Sequence, residues 1–161
     1  MAAIRRSVNA GQLEFGENYV QEAIEKMQEL HDDRIIWHFI GAIQSNKTRD
    51  IAEHFAWVHS VDRLKIAQRL SAQRPASLPA LNICLQINID ADPAKSGIAP
   101  LEAIPLAQQV LTLPNISLRG LMILPALTGD TANSFRAGQE LFTQIRSAVN
   151  RDEFDTLSMG M

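Results

Sequence analysis

Cysteine is nearly missing from this chain. Cys84 is the only one among 161 residues, so no intrachain disulfide can form and nothing points to an oxidising compartment. Cys84 lies in the apolar run Leu81-Asn82-Ile83-Cys84-Leu85 and reads as a buried small hydrophobe, not a nucleophile. No apolar run approaches the ~18 residues needed to cross a bilayer. Arg5 and Arg6 near the start are not followed by an apolar segment, so residues 1–8 resemble neither a signal nor a transit peptide. The chain reads as cytoplasmic, with no membrane partner. Charge of one sign is also lacking: 15 Lys and Arg stand against 18 Asp and Glu, a net charge of −3. Without a basic stripe, nucleic acid is an unfavoured partner. With 46% apolar residues, disorder is excluded as well.

The familiar catalytic signatures are missing too. There is no His-Glu-x-x-His pair, Gly-x-Ser-x-Gly elbow, Gly-x-Gly-x-x-Gly turn or P-loop. The four histidines, His31, His38, His54 and His59, have no cysteine partner, which disfavours a zinc site. His31 reads as a partner for the end of a helix dipole.

What remains is an alternation of short apolar runs and amphipathic stretches. The runs are Leu13–Phe15, Ile35–Gly41, Phe55–His59, Leu81–Ile89, Leu118–Pro125 and Phe154–Met159. Helical patterns occupy about 17–31, 46–55, 62–73, 100–112 and 131–149, and residues 2–10 finish another helix that Gly11 stops. Asn18, three residues before Gln21, fits a capping box, and Asp62 fits a helix start. Strand and helix in repeated alternation predict a parallel α/β layer protein, one domain over residues 1–161.

In such folds ligands gather at the carboxyl ends of the strands. The polar residues expected there are Glu17, Asn18, Gln44, Ser45, Asn46, Lys47, Asn88, Asp90 and Ser158. Asn18 and Ser45 fit helix N-caps as well as a ligand role. Alternation through Ile36-Trp37-His38-Phe39-Ile40 puts Ile36, His38 and Ile40 on one face. A buried, hydrogen-bonded His38 is favoured over a catalytic base. Of the four lysines, Lys26 and Lys65 fall in helices and are expected to face solvent. Lys47 and Lys95 follow strands and could reach a ligand there.

Several segments in order carry a resemblance. They are Phe15-Gly16-Glu17-Asn18-Tyr19-Val20-Gln21-Glu22, Trp37-His38-Phe39-Ile40-Gly41-x-x-Gln44-Ser45-Asn46-Lys47, His59-Ser60-Val61-Asp62, and Gln86-Ile87-Asn88 with Lys95-Ser96-Gly97. Arg119-Gly120-Leu121-Met122 and Thr156-Leu157-Ser158-Met159-Gly160-Met161 complete the set. Together these resemble the pyridoxal phosphate homeostasis protein family. The resemblance implies a (β/α)8 TIM barrel of the alanine racemase type, holding pyridoxal 5′-phosphate through one lysine as a non-catalytic carrier or buffer. It further implies that Asn18, Ile40, Gly41, Met122, Ser158, Met159 and Gly160 line the cofactor pocket. Ile40 and Met122 would offer apolar surface to the ring, and Gly160 a close backbone approach to the phosphate.

A complete barrel of this kind needs ~250 residues. The six runs fit strands 2–7, so the expectation is an incomplete barrel, a truncated form lacking the cofactor-bearing lysine and the later Arg-x-Gly phosphate segment. An inert fragment that binds no cofactor is the alternative. An alanine-racemase-type enzyme would need a second domain and a tyrosine base, and Tyr19 is the only tyrosine.

Overall fold

The computed structural model describes residues 1–126 and 129–160. Its strands are β1 (Glu14–Glu17), β2 (Ile36–Phe39), β3 (Trp57–Val61), β4 (Leu81–Ile87), β5 (Ile116–Ile123) and β6 (Thr156–Met159). Its helices are α1 (Ala2–Asn9), α2 (Val20–Leu30), α3 (Thr48–His54), α4 (Leu64–Gln73), α5 (Ala103–Val110) and α6 (Thr131–Val149). The six strands form one sheet in the order β1-β2-β3-β4-β5-β6, and every neighbouring pair is parallel. Because spatial order equals chain order, each crossover steps the same way. Right-handed crossovers then put every helix on one face. This is a singly wound barrel wall, distinct from a doubly wound sheet whose order reverses.

Alternation along the strands divides the two faces. Phe39, Val58, Ile83, Leu85, Leu121 and Ile123 are buried in the core cluster, together with Ala23, Ile51, Ile66, Leu70, Ala107 and Ile145 of the helices. Burial of each large aliphatic chain is worth about 1.5–3 kcal/mol against exposure. Gly120 of β5 sits against the carbonyl of Thr156 in a space that no Cβ could share, so the β5–β6 contact requires glycine.

The predicted elements are all present, with shifted ends. α2 starts at Val20, and Tyr19 occupies its N-cap position without a side-chain bond, so Asn18 is not a cap. Ser45 opens a 3₁₀ turn, Ser45–Lys47, and accepts from Thr48 Oγ1 through its carbonyl. Asp62 pairs with Arg63 at 2.6 Å and does not cap α4. Asp130 does cap, accepting from Asn133 N at the start of α6. Phe55 ends α3 and packs edge-on against Phe39, which delays β3 to Trp57. β4 stops at Ile87 because the Asn88 side chain bonds locally with the backbone of Asp92. Gly11 follows α1 with φ +96°, the left-handed stop its position predicts. Among the described residues, no helix is long and apolar enough to cross a membrane.

Candidate functional site

The face of the sheet away from the helices is concave and polar. Gly16, His38 and Trp57 are register partners across β1, β2 and β3, so they share this face. Met122 pairs with Ser158 across β5 and β6. A cleft of about 500 Å³ is lined by Phe15, Gly16, His38, Ile40, Trp57, His59 and Ser158, with Gln12, Glu14 and Thr156 at its lower end.

One chain of hydrogen bonds crosses this cleft. His38 Nδ1 lies 2.9 Å from His59 Nε2, and His59 Nδ1 lies 2.9 Å from Ser158 Oγ. The second bond joins β3 to β6 over two intervening strands, which measures how strongly the sheet curls. Trp57 stacks on His38, with centroids 5.5 Å apart and planes 6° from parallel. Burial pushes the His59 imidazole down to about 4, and neighbouring His38 lowers it further in the same direction. Burial also lowers His38, against an opposing pull from Glu14. Both rings are therefore neutral near pH 7. His38 Nε2 is buried with no hydrogen-bond partner among the described residues.

Arg119 of β5 lies against the other side of this cluster, at Trp57. Its guanidinium lies 4.9 Å from the Trp57 ring centre and donates to Asn82 Oδ1, the Glu153 carbonyl and both Asp155 carboxylate oxygens. A second cleft of about 480 Å³ lies at the ends of β1 and β2, where Asn18, Tyr19, Phe39, Gly41, Gln44 and Lys47 meet.

The seven residues nominated from the sequence thus fall into groups. Ile40 and Ser158 line the concave cleft, with Met122 beside Ser158 in register. Asn18 and Gly41 meet in the second cleft, backbone against backbone. Met159 alternates to the face opposite Ser158 and is 45% exposed. Gly160 donates its N–H to the Ile123 carbonyl at 3.3 Å, and a Cβ there would meet nothing within 4 Å. Met161, the last residue of the quoted motif, lies outside the described residues.

The lysines do not gather at the concave cleft. Lys95 Nζ donates to the carbonyls of Leu124, at 3.2 Å, and Pro125. Lys47 borders the second cleft and lies 3.9 Å from Asp50. Lys26, expected in solvent, instead donates to Glu17 at 2.6 Å. The cause is its half-buried seat on α2 facing the end of β1. Burial raises the Cys84 thiol to about 12, which makes it inert. Among the described residues, no group of three or more His, Cys, Asp or Glu could hold a metal ion.

The sequence reading treated His59 only as part of a motif and missed its place in the relay. The signal was available: His59 stands two residues after Trp57, on the same strand face. Arg119 was likewise quoted in a motif without its role beneath Trp57, since nothing local reveals a contact made 62 residues away.

The model of the alanine racemase N-terminal domain matches residues 1–161. A pyridoxal phosphate homeostasis protein of Pseudomonas aeruginosa is 55% identical over 163 aligned residues, covering 99% of this chain and 69% of that protein. The protein of the same name from Haemophilus influenzae is 49% identical, covering all of this chain and 70% of its own length. PipY of Synechococcus elongatus without PLP superposes with a TM-score of 0.92 at 36% identity, covering 99% of this chain and 76% of PipY. The same protein with PLP bound superposes at 0.85. The chain belongs to the pyridoxal phosphate homeostasis protein family, built on the alanine racemase N-terminal domain fold.

Proposed function

We propose that this chain binds pyridoxal 5′-phosphate at the carboxyl end of its concave face and serves intracellular homeostasis of that cofactor, without turnover. The observation that carries the reading is the pairing of an apolar wall with a neutral donor: Ile40 and Ser158 border one cleft, and the histidine beneath Ser158 is uncharged near pH 7. An aromatic ring needs the first, and an anionic oxygen the second. A structure of PipY, which superposes over 99% of this chain, has PLP bound. When bound, the cofactor supplies a reactive aldehyde. The chain's own residues hold the ring against Ile40 and Met122, and donate from Ser158. In this reading Asn18 and Gly41 extend the rim through the adjoining strand-end turns, and Met159 and Gly160 contribute backbone and not side chains, with residues 1–161 working as one cofactor-holding domain.

The proposal of no turnover rests on the residues at the cleft. A racemase needs an acid–base pair poised on opposite sides of the substrate. Tyr19, the only tyrosine, is 67% exposed in the second cleft.

Titrating the purified chain with pyridoxal 5′-phosphate tests this directly. A visible absorbance change that saturates, and that weakens in Ile40→Asp, is expected. Borohydride treatment followed by peptide mass mapping is expected to leave Lys47 and Lys95 unmodified. Absence of any saturable change would overturn the cofactor reading and favour an inert fold. Racemisation of alanine would overturn the assignment as a carrier.

A further inference from the structure

We propose that His38 and His59 act as a positioning relay that fixes Ser158 as a hydrogen-bond donor to an anionic oxygen of a ligand in the concave cleft. The ligand's identity rests on the preceding reading; the order of the relay does not.

The chain His38–His59–Ser158 contains two short contacts, each needing one proton. With both imidazoles neutral, only two orders are possible. In one, His38 Nδ1–H donates to His59 Nε2, and His59 Nδ1–H donates to Ser158 Oγ. In the other, every bond is reversed: Ser158 donates to His59, His59 Nε2–H donates to His38 Nδ1, and His38 carries its proton on Nε2.

The far end of the chain decides between them. His38 Nε2 is buried and has no partner among the described residues. The reversed order would put an N–H there, leaving a buried donor unsatisfied. The first order leaves only a lone pair, and orphaned buried N–H groups are the rarer and costlier case. Trp57, stacked flat on His38, and the strand register hold the His38 ring in place, so it does not swing away to find another partner. Glu14 is the charged group acting on His38. It offers no acceptor within hydrogen-bonding distance of Nε2.

The consequence appears at Ser158. Its oxygen already accepts from His59, so its own O–H is free to donate into the cleft. A serine held this way favours an oxyanion over a ligand donor. The ring oxygen and the phosphate of pyridoxal 5′-phosphate are the two candidate sources.

Nitrogen-15 NMR of the imidazoles in the full chain, without ligand, reads the order. Both His38 and His59 are expected as Nδ1–H tautomers with unprotonated Nε2. An Nε2–H tautomer at His59 would overturn the proposal, whether or not the chain binds the cofactor. Affinity for pyridoxal 5′-phosphate supplies the second readout. Ser158→Ala and His59→Phe are each expected to weaken binding about tenfold, and the double variant no further. His59→Asn restores an N–H near the Nδ1 position and is expected to recover most of the loss. A His59→Phe variant that keeps its fold by circular dichroism and binds as tightly as the parent would overturn the relay. Parallel titrations with pyridoxal and with inorganic phosphate show which oxygen Ser158 serves, because only that ligand loses affinity in Ser158→Ala.

Discussion

Gly41 presses its α-carbon against the backbone of Asn18 so closely that no Cβ could be accommodated between them. The contact ties the turn after β2 to the turn after β1. Ser60 reinforces it by donating to the Gly41 carbonyl at 2.5 Å. Two residues nominated separately from the sequence are thus one structural joint. Gly41→Ala must push the two turns apart, and rigid backbone on both sides makes that expensive. A loss of about 2–3 kcal/mol in urea unfolding is expected. Gly160→Ala is the control, since its Cβ would meet nothing within 4 Å, and it should change stability by less than about 0.5 kcal/mol.

The pH dependence of stability follows from the relay. His59 titrates near 4 in the folded chain and near 6.5 when unfolded. Above 6.5 both states are neutral, and the site costs nothing. As pH falls from 6.5 toward 4, the unfolded chain takes up a proton that the folded chain refuses, so stability declines across that window. The decline amounts to about 2–3 kcal/mol. His59→Gln removes the titration and should flatten this part of the curve, although it starts from a lower stability at pH 7. Chemical denaturation at intervals between pH 4 and 7.5 measures both curves. Parallel slopes would show that His59 is not held neutral by burial.

Much of this architecture was legible because it repeats. Six apolar runs separated by amphipathic stretches specify a parallel layer protein, and the period-two pattern around His38 correctly aimed that ring away from Trp37. Element ends were less legible. Asn18 and Asp62 have the chemistry of caps, yet the helices begin at Val20 and Leu64, beyond the reach of either side chain as a cap. Cap preference is a local tendency worth about 1 kcal/mol, and strand packing overrides it. The site was legible only in part. Ile40 and Ser158 line one cleft, but His59 and Ser158 are 99 residues apart and meet only because the sheet curls. No local pattern carries that curvature.

Arg74 holds two helices and a loop together from within. Its guanidinium is buried and donates to the carbonyls of Ala52 and Phe55 at 2.7 and 2.8 Å, and to that of Pro79 at 2.8 Å. The first two acceptors lie at the end of α3, where helix carbonyls have no partners of their own. Arg74→Met keeps much of the volume but strands all three acceptors. A loss of about 3 kcal/mol is expected in thermal or urea unfolding. Arg74→Lys should recover less than half, because a single ammonium cannot span acceptors on separate elements.

Arg119 makes the opposite kind of contact, with a charge lying against an aromatic face. It sits 4.9 Å from the centre of Trp57, while its N–H groups reach Asn82, Glu153 and Asp155. The bond from Arg119 also holds the Asp155 carboxyl below the usual carboxylate range. That depressed group contributes stability only above its unfolded pKa, and the contribution disappears as pH falls through the folded value. Asp155 is exposed, so solvent screens the pair, and Asp155→Asn should cost less than about 1 kcal/mol. Arg119→Met removes the whole set. It should cost about 2–3 kcal/mol, because Asn82 Oδ1 and the Glu153 carbonyl lose their donor and Trp57 loses its cation. A Trp37→Phe background leaves Trp57 as the only tryptophan, read by excitation at about 295 nm, where Tyr19 absorbs little. In that background, Arg119→Met should shift its native emission as well as its unfolding midpoint. If Asp155→Asn destabilised the chain as much as Arg119→Met, the ion pair would account for the contact, and the Trp57 face would contribute nothing.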